Sequence, residues 1–266
     1  MCYNKHIMFS WAFRRRFLYI SILFLIVAIP VGLLTYFEFF NKPPSCQDGV
    51  KNQDEHGSDC GGICLVACMY EVQAYPTIQW SRGYYVSKGI YNLVAYLQNP
   101  NTEYISLPAA YVFNVYDDKN VLLATKEGTV AFPTTKLFPI FAPTVNVGEK
   151  IPKRVSFEFT EPITWLEYHG EKPVLEVTER DLSLVDEAPI LEATVRNKTL
   201  HTYTNVEVVA VIYDKDGNGF ASSRTFIDKI GDREDVKIRF TWPEPFTTQA
   251  SKIEIIPKLD IQAYQQ

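Results

Sequence analysis

The chain opens with one long apolar run and continues with short stretches in which apolar and polar residues alternate. Residues 17–37 contain no charged side chain and read FLYISILFLIVAIPVGLLTYF. About 20 apolar residues in a helix are enough to cross the hydrocarbon core of a membrane. The run therefore predicts a transmembrane anchor over residues 17–40, preceded by a short N-terminal segment, 1–16.

The charges at the two ends of this run predict its orientation. Arg14, Arg15 and Arg16 precede it, and Glu38 follows it. Because basic residues stay on the cytoplasmic side, we expect a cytoplasmic N-terminus and extracytoplasmic C-terminal domains. The alternative is a cleaved signal peptide, whose apolar region spans about 7–15 residues before a small-residue cleavage site. The run here is longer and no such site follows it, so a single-pass membrane protein is the preferred prediction.

Beyond residue 75 the alternating pattern predicts β-strands. Apolar and polar positions alternate in runs separated by turn residues about 8–12 residues apart, which is typical of a β-sandwich. The clearest runs are Tyr91–Leu97, Ala110–Tyr116, Val155–Phe159, Glu192–Arg196, Val206–Tyr213 and Val236–Phe240. No helical periodicity of comparable length stands out, so the predicted fold class is all-β behind one N-terminal helix.

The run 206–213 is apolar on both of its faces. Alternation places Val206, Val208 and Ile212 on one face, and Val209 and Val211 on the other. Strands covered on both sides have this pattern. We therefore expect a central strand that is buried on both faces.

The strand region also repeats itself. Each pass reads as a strand, an asparagine turn, a strand ending in Tyr-Asp, and a tight turn. The matched landmarks are Asn99 with Asn197, Tyr116-Asp117 with Tyr213-Asp214, and Phe159-Thr160 with Phe240-Thr241. A repeat of this size indicates two copies of one domain, predicted at 75–172 and 173–266.

Composition adds limits on compartment and partners. The abundance of tyrosine and phenylalanine, 16 and 17 residues, favours strands. The net charge is −5, and basic residues cluster only at the N-terminus. The sequence therefore shows no basic patch of the kind that binds nucleic acid. Of five cysteines, Cys2 precedes the apolar run and four follow it within 23 residues. This division across a membrane boundary is what an oxidising outer compartment would produce.

The four clustered cysteines define a predicted cysteine module, residues 41–74. Cys46, Cys60, Cys64 and Cys68 lie in a segment too polar to form a core, so we predict two disulfides, with three pairings open. The pair Gly61-Gly62 permits a tight turn between two of them. The alternative is a zinc site built from four thiolates, or from three thiolates and His56.

The same module is rich in oxygen ligands suited to calcium. The candidate ligands are Asp48, Asn52, Asp54, Glu55 and Asp59. The alternative is that they are solvated turn residues, since Asp and Asn favour turns. Calcium is therefore a candidate ligand, and no other cofactor is predicted.

The module resembles a short motif of bacterial cell-surface proteins, C-x-D-G-x-x-N-G-x-E-x-x-x-D-C-G-G-x-C followed by another cysteine. The matching residues are Cys46, Asp48, Gly49, Asn52, Glu55, Asp59, Cys60, Gly61, Gly62, Cys64 and Cys68. Gln53 stands where that motif has Gly. The resemblance covers about 23 residues and implies an exported, surface-exposed module.

The strand repeats resemble small exported domains of the FxLyD or LEA14-like type. The second copy matches through Asn197, Val206, Val208, Tyr213, Asp214 and Gly217. The first matches through Asn99, Val112, Tyr116 and Asp117, and departs by an insertion around 132–143 and by lacking the turn glycine. The resemblance implies two tandem immunoglobulin-like or fibronectin-like β-sandwiches, a fold that hosts many functions.

No catalytic constellation is visible in the sequence. The four histidines are scattered, and no nucleophile–base pair or phosphate-binding loop is present. We therefore predict a protein that is not an enzyme: a membrane-anchored binding, adhesion or scaffolding protein of the cell envelope. Its expected partners are the lipid bilayer and another envelope protein or surface polymer, without nucleic acid. The alternatives are a structural subunit of a pilus or secretion assembly, and a calcium-dependent surface sensor.

Overall fold

The structure is a computed structural model that describes residues 11–40, 45–72 and 74–260. Cys2 and residues 41–44, the start of the predicted cysteine module, lie outside the described residues. One helix, α1, spans Trp11–Phe40 and contains Pro30. Its segment Phe13–Phe37 contains an 18-residue stretch with a mean hydropathy of 2.7 and no buried residues, so by length and composition it can cross a membrane.

The rest of the described chain is mostly β-sheet, which confirms the predicted strand-rich fold behind an apolar helix. The strands are β1 Thr77–Ser87, β2 Ile90–Gln98, β3 Tyr104–Ser106, β4 Ala109–Tyr116, β5 Leu122–Val130, β6 Leu137–Asn146, β7 Arg154–Phe159, β8 Trp165–Glu167, β9 Leu175–Ser183, β10 Ile190–Asn197, β11 Tyr203–Tyr213, β12 Gly219–Ile230, β13 Asp235–Thr241 and β14 Lys252–Lys258.

Twelve of these strands form two sheet pairs with the same topology. In the first sheet pair, β1-β2-β6 faces β5-β4-β7; in the second, β9-β10-β13 faces β12-β11-β14. All neighbouring strands are antiparallel. Each pair encloses its own core, with Leu93 and Phe113 central to the first and Leu191 and Val208 central to the second. β1, β2, β4, β5, β6 and β7 thus correspond in order to β9–β14.

Matching hydrogen bonds show how closely the two sheet pairs correspond. Asn99 and Asn197 are both buried, and each side-chain carbonyl accepts the N–H two residues later, from Asn101 and Thr199. Each side-chain amide donates to a carbonyl in the loop that precedes β6 or β13, at 2.8 Å in both cases. The predicted equivalence of these two asparagines agrees with the topology.

The turns after β4 and β11 correspond as well. Oδ1 of Asp117 and of Asp214 accepts the backbone N–H groups two and four residues later. Asn120, with φ +58°, takes the place of Gly217, with φ +78°. Asparagine tolerates this left-handed conformation, so the first turn forms without the glycine.

Two details of the predicted repeat are wrong. The stretch 132–143 is not an insertion, because it leads into and forms most of β6, which pairs with β2. Phe159 ends β7, the counterpart of β14, whereas Phe240 lies in β13, the counterpart of β6. Because β6 was predicted to be an insertion, Phe159-Thr160 at the end of β7 was matched with Phe240-Thr241 of β13 instead of with a segment of β14.

A third apolar cluster joins the two sheet pairs back to back. It contains Tyr84, Val94, Phe141, Val209, Val211 and Tyr213, and we call it the inter-pair cluster. Val209 and Val211 are fully buried there, on the face of β11 opposite its own core. The prediction that this strand is covered on both faces is confirmed, and the first sheet pair supplies the second cover.

A short two-stranded sheet, β3-β8, also lies between the two cores. Trp165 of β8 belongs to the first core, while Ile105 of β3 belongs to the second. Because alternate residues of one small sheet are buried in different cores, the sheet ties the two pairs together.

Candidate functional site

The cysteine module is held by two crossed disulfides, Cys46–Cys64 and Cys60–Cys68. This confirms that all four clustered cysteines are paired and selects one of the three possible pairings. The zinc alternative is not realised, since none of these sulfurs is a free thiolate.

Tight backbone turns make this crossed pairing possible. Gly61 and Gly62 both have positive φ, and a Cβ on Gly62 would lie 2.1 Å from the Asp54 carbonyl oxygen. Gln53 has a φ of +52°, so the left-handed turn of the resembled motif forms even though its glycine is replaced. The side chain at 53 is held in a conformation that L-residues populate at a cost.

Three of the five predicted calcium ligands bind backbone N–H groups of the module. Asp59 accepts the N–H groups of Asp48 and Gly49 at 2.9 and 2.8 Å. Glu55, which is buried, accepts those of Asn52 and Asp59 through Oε2. Asp48 accepts those of Ser45 and Val50. These carboxylates therefore replace the missing hydrophobic core as the module's internal contacts.

The other two candidates differ from each other. Asp54 is exposed. Asn52 donates through Nδ2 to Asp48, while its buried Oδ1 has no hydrogen-bond partner within the described residues. Among the described residues, one cluster brings at least three metal-ligand atoms of His, Cys, Asp or Glu within 4.8 Å of one another. It consists of Cys46, Glu55 and Cys64, and its two cysteines form a disulfide. Calcium binding by the five residues stays a prediction.

His56 pairs with Glu71 at the end of the module. Its Nδ1 is within hydrogen-bond distance of Glu71 Oε1, and the Cys68 N–H donates to the other carboxylate oxygen. The hydrogen bond from His56 is the main cause that lowers the pKa of Glu71. This contact gives His56 a structural partner instead of a metal.

The module is attached to the first sheet pair by strand pairing. The Ala67 N–H donates to the Trp165 carbonyl at 2.9 Å, and the Glu167 N–H donates to the Leu65 carbonyl at 3.1 Å. Ala67 is buried in the first core. The module thus joins β8 through a single antiparallel β-bridge, Val66 with Leu166, a contact that the sequence did not predict.

A charged cleft of about 350 Å³ lies between the two sheet pairs. In its lining, Glu207 accepts a hydrogen bond from Arg224 at 3.0 Å and forms an ion pair with Lys258 at 2.6 Å. The three side chains are only 13–25% exposed. The Arg224 guanidinium also lies 5.2 Å from the centre of the Phe141 ring of the other sheet pair. No sequence signal marked this triad, because its members come from three separate strands.

Tyrosines with raised pKa values lie at the inter-pair cluster. Burial raises the pKa of Tyr84, whose Oη has no hydrogen-bond partner within the described part of the chain. Burial, followed by a hydrogen bond to Glu254, raises the pKa of Tyr213. Both phenols are therefore neutral at physiological pH, as a packed interface requires.

Comparisons with known proteins assign no family. No protein-family model matches the chain, and no curated protein matches it. The crystal structure of red sea bream transglutaminase is similar to 70% of this chain and 29% of that chain, with 7% identity and a TM-score of 0.25. The chain thus spans less than a third of the length of that protein.

This comparison corrects one prediction. The sequence predicted that the protein is not an enzyme, whereas the matched structure is that of an enzyme. The prediction is therefore withdrawn. A TM-score of 0.25 is too low for the match to assign an activity to this chain.

Proposed function

We propose that this is a single-pass membrane protein of the cell envelope that binds or scaffolds a partner outside the cytoplasm. The helix α1 anchors it, its basic N-terminus is cytoplasmic, and everything from the cysteine module onward is extracytoplasmic. The observation that carries the proposal is the position of the disulfides. Cys46 is the sixth residue after Phe40, and structural disulfides persist in oxidising compartments.

The two sheet pairs are the proposed binding or scaffolding part. Their identical strand order supports two copies of one immunoglobulin-like or fibronectin-like β-sandwich, of the FxLyD or LEA14-like type that the sequence resembles. The resemblance of the module to a cell-surface motif supports the same location. Their partner would be another envelope protein or a surface polymer, met at loops or at exposed strand edges such as β5.

The contacts between the sheet pairs favour a scaffolding role within this proposal. The inter-pair cluster, the β3-β8 sheet and the contact of the Arg224 guanidinium with the Phe141 ring all join one sheet pair to the other. A body fixed in this way holds the loops of the two sheet pairs at constant distances from one another. The alternative, a structural subunit of a pilus or secretion assembly, would use the same rigidity with a fixed protein neighbour.

The location is tested with intact spheroplasts of cells that carry the gene. A protease site and epitope tag added after Gln266 should be cleaved by external protease, whereas a tag added before Met1 should be protected. Alkylation before reduction should modify none of the four module cysteines. Protection of the C-terminal tag, or four thiols that react without reduction, would refute the proposal.

The binding role is tested with a photo-cross-linking residue at Glu127, which is exposed on the edge strand β5. A heterogeneous set of polymer adducts would support adhesion. One protein adduct of constant mass would support the assembly subunit. A calcium-dependent surface sensor would instead require a rise in melting temperature of the full chain when calcium replaces EDTA.

A further inference from the structure

The cysteine module exposes large apolar side chains beside its buried disulfides. Ile63, Leu65, Met69 and Tyr70 are each 65–72% exposed. They flank Cys64, Ala67 and Cys68, which are buried. The apolar side chains therefore point away from the module's interior and do not stabilise it. Concentrated exposed apolar residues mark surfaces that bind a partner or a membrane.

The position of the module in the chain identifies what covers this surface. Four residues separate Phe40, the last residue of α1, from Ser45, so these two residues can lie at most about 18 Å apart. The 21 uncharged residues 17–37 extend about 32 Å as a helix, which already matches the roughly 30 Å hydrocarbon core, and α1 continues for three more residues to Phe40. The helix therefore reaches the headgroup region, and the module begins within a short distance of it.

The charges of the module select the kind of lipid. Between residues 45 and 72 there is one lysine, Lys51, and no arginine. Attraction to anionic headgroups requires several basic side chains. The exposed apolar side chains of the module therefore suit a zwitterionic lipid surface, which they would contact without charge attraction. Tyr70 adds to this, because tyrosine is enriched at membrane interfaces.

We infer that the cysteine module lies on the outer surface of the bilayer, with Ile63, Leu65, Met69 and Tyr70 inserted among the lipid headgroups. This inference rests on the proposed anchoring by α1. Because the Leu65–Ala67 segment is hydrogen-bonded to β8, the contact also fixes the orientation of the sheet pairs relative to the membrane. The module then holds the sheet pairs at a fixed orientation to the membrane instead of linking them to it flexibly.

The test uses the full chain in phosphatidylcholine vesicles with a diazirine amino acid at one position. At Leu65 it should form lipid adducts on illumination. The matched control is Leu200, which is 62% exposed but lies in the loop before β11, on the second sheet pair. We expect adducts at position 65 and only background at position 200. The adducts should be undiminished at high salt, because no basic cluster holds the surface to the lipid.

A third position, Leu25 in α1, distinguishes docking of the module from anchoring by the helix. Lipid adducts at 25 without adducts at 65 would overturn the docking and leave the anchoring intact. Absence of adducts at 25 would refute the anchoring itself. Protein–protein adducts from position 65 would assign the surface to a second copy of the chain and overturn the inference. With the diazirine at Tyr70, the change Leu65→Glu should reduce lipid adducts while both disulfides remain formed.

Discussion

Asn99 and Asn197 join two loops at equivalent corners of the two sheet pairs. Asn197 is 1% exposed and donates to the carbonyls of His201 and Gly231 while it accepts the Thr199 N–H. Truncation would leave these buried groups without partners, each at a cost of about 1–3 kcal/mol. We expect Asn197→Ala to lower the free energy of unfolding by about 3 kcal/mol, measured by urea denaturation.

The control for this change is Asn218→Ala in the turn after β11. Asn218 is exposed, and its side chain makes a single 3.4 Å contact to Asp214. Its loss should cost less than about 0.5 kcal/mol. Equal effects at the two asparagines would show that the Asn197 hydrogen bonds do not hold the corner.

Asp214 makes the turn between β11 and β12 sensitive to acid. Hydrogen bonds from the Asn218 and Asp216 N–H groups lower the pKa of its carboxyl in the folded state. A lowered pKa contributes stability above the unfolded value, and that stability is lost as the pH falls through the folded value. The stability difference between wild type and Asp214→Asn should therefore be constant near neutrality and shrink below about pH 4. The check is the urea midpoint of both proteins, measured from pH 7 to pH 3. A difference between the two midpoints that stays constant over this range would refute the prediction.

Gln53 is held in a left-handed conformation that glycine adopts without strain. Relief of this strain should stabilise the turn that ends in the Glu55 N–H, which donates to the Asn52 carbonyl at 3.0 Å. We expect Gln53→Gly to raise the opening free energy of the Glu55 amide by about 1 kcal/mol, measured by hydrogen exchange. Gln47→Gly, at an exposed position without positive φ, should leave it unchanged or lower it. Faster exchange in Gln53→Gly would contradict the strain argument.

At the scale of elements, the sequence predicted the strands that lie in the middle of sheets. β2, β4, β10 and β11 are the central strands of the four three-stranded sheets, and all four were predicted. Their side chains are buried against cores, so their apolar pattern is strong. Of the edge strands, only β7 and β13 were predicted. Among the others, β6 contains Pro139 and Pro143, which an edge strand accepts because one side of its backbone is unpaired.

Tyr84 of β1 and Gly219 of β12 form a close contact between elements of different sheet pairs. A Cβ on residue 219 would lie 2.7 Å from Tyr84 Oη, and the next neighbours are at 3.4 Å or more. Gly219→Ala should therefore lower the free energy of unfolding in the wild type and have little effect in Tyr84→Phe. A double-mutant cycle in urea should give a coupling of about 1 kcal/mol or more. Tyr84→Phe alone should be neutral or stabilising, because the buried hydroxyl has no partner in the described residues. Additive effects would place the strain elsewhere.

At the scale of the molecule, the sequence predicted the parts but not how they contact one another. The disulfide pairing could not be chosen, because it depends on which loops the turns at Gly61 and Gln53 bring together. The pairing of the module with β8 could not be predicted either, since a three-residue strand carries no periodicity. The apolar outer face of β11 was the one visible signal of contact between the sheet pairs. It predicted burial without naming the partner.

Burial of this outer face predicts how the whole molecule unfolds. Val209 is fully buried against the first sheet pair, and a charge there would have to remain in an apolar contact or separate the two pairs. Separation leaves the second core intact, because Val209 faces away from it. The wild type should therefore unfold in one cooperative transition, and Val209→Asp should split it into two and increase the radius of gyration. Val121→Asp, in the exposed turn after β4, is the matched control and should unfold as the wild type does. A single transition shifted to lower urea, without any change in radius of gyration, would mean that the two sheet pairs remain in contact and that Val209 only supports its own sheet.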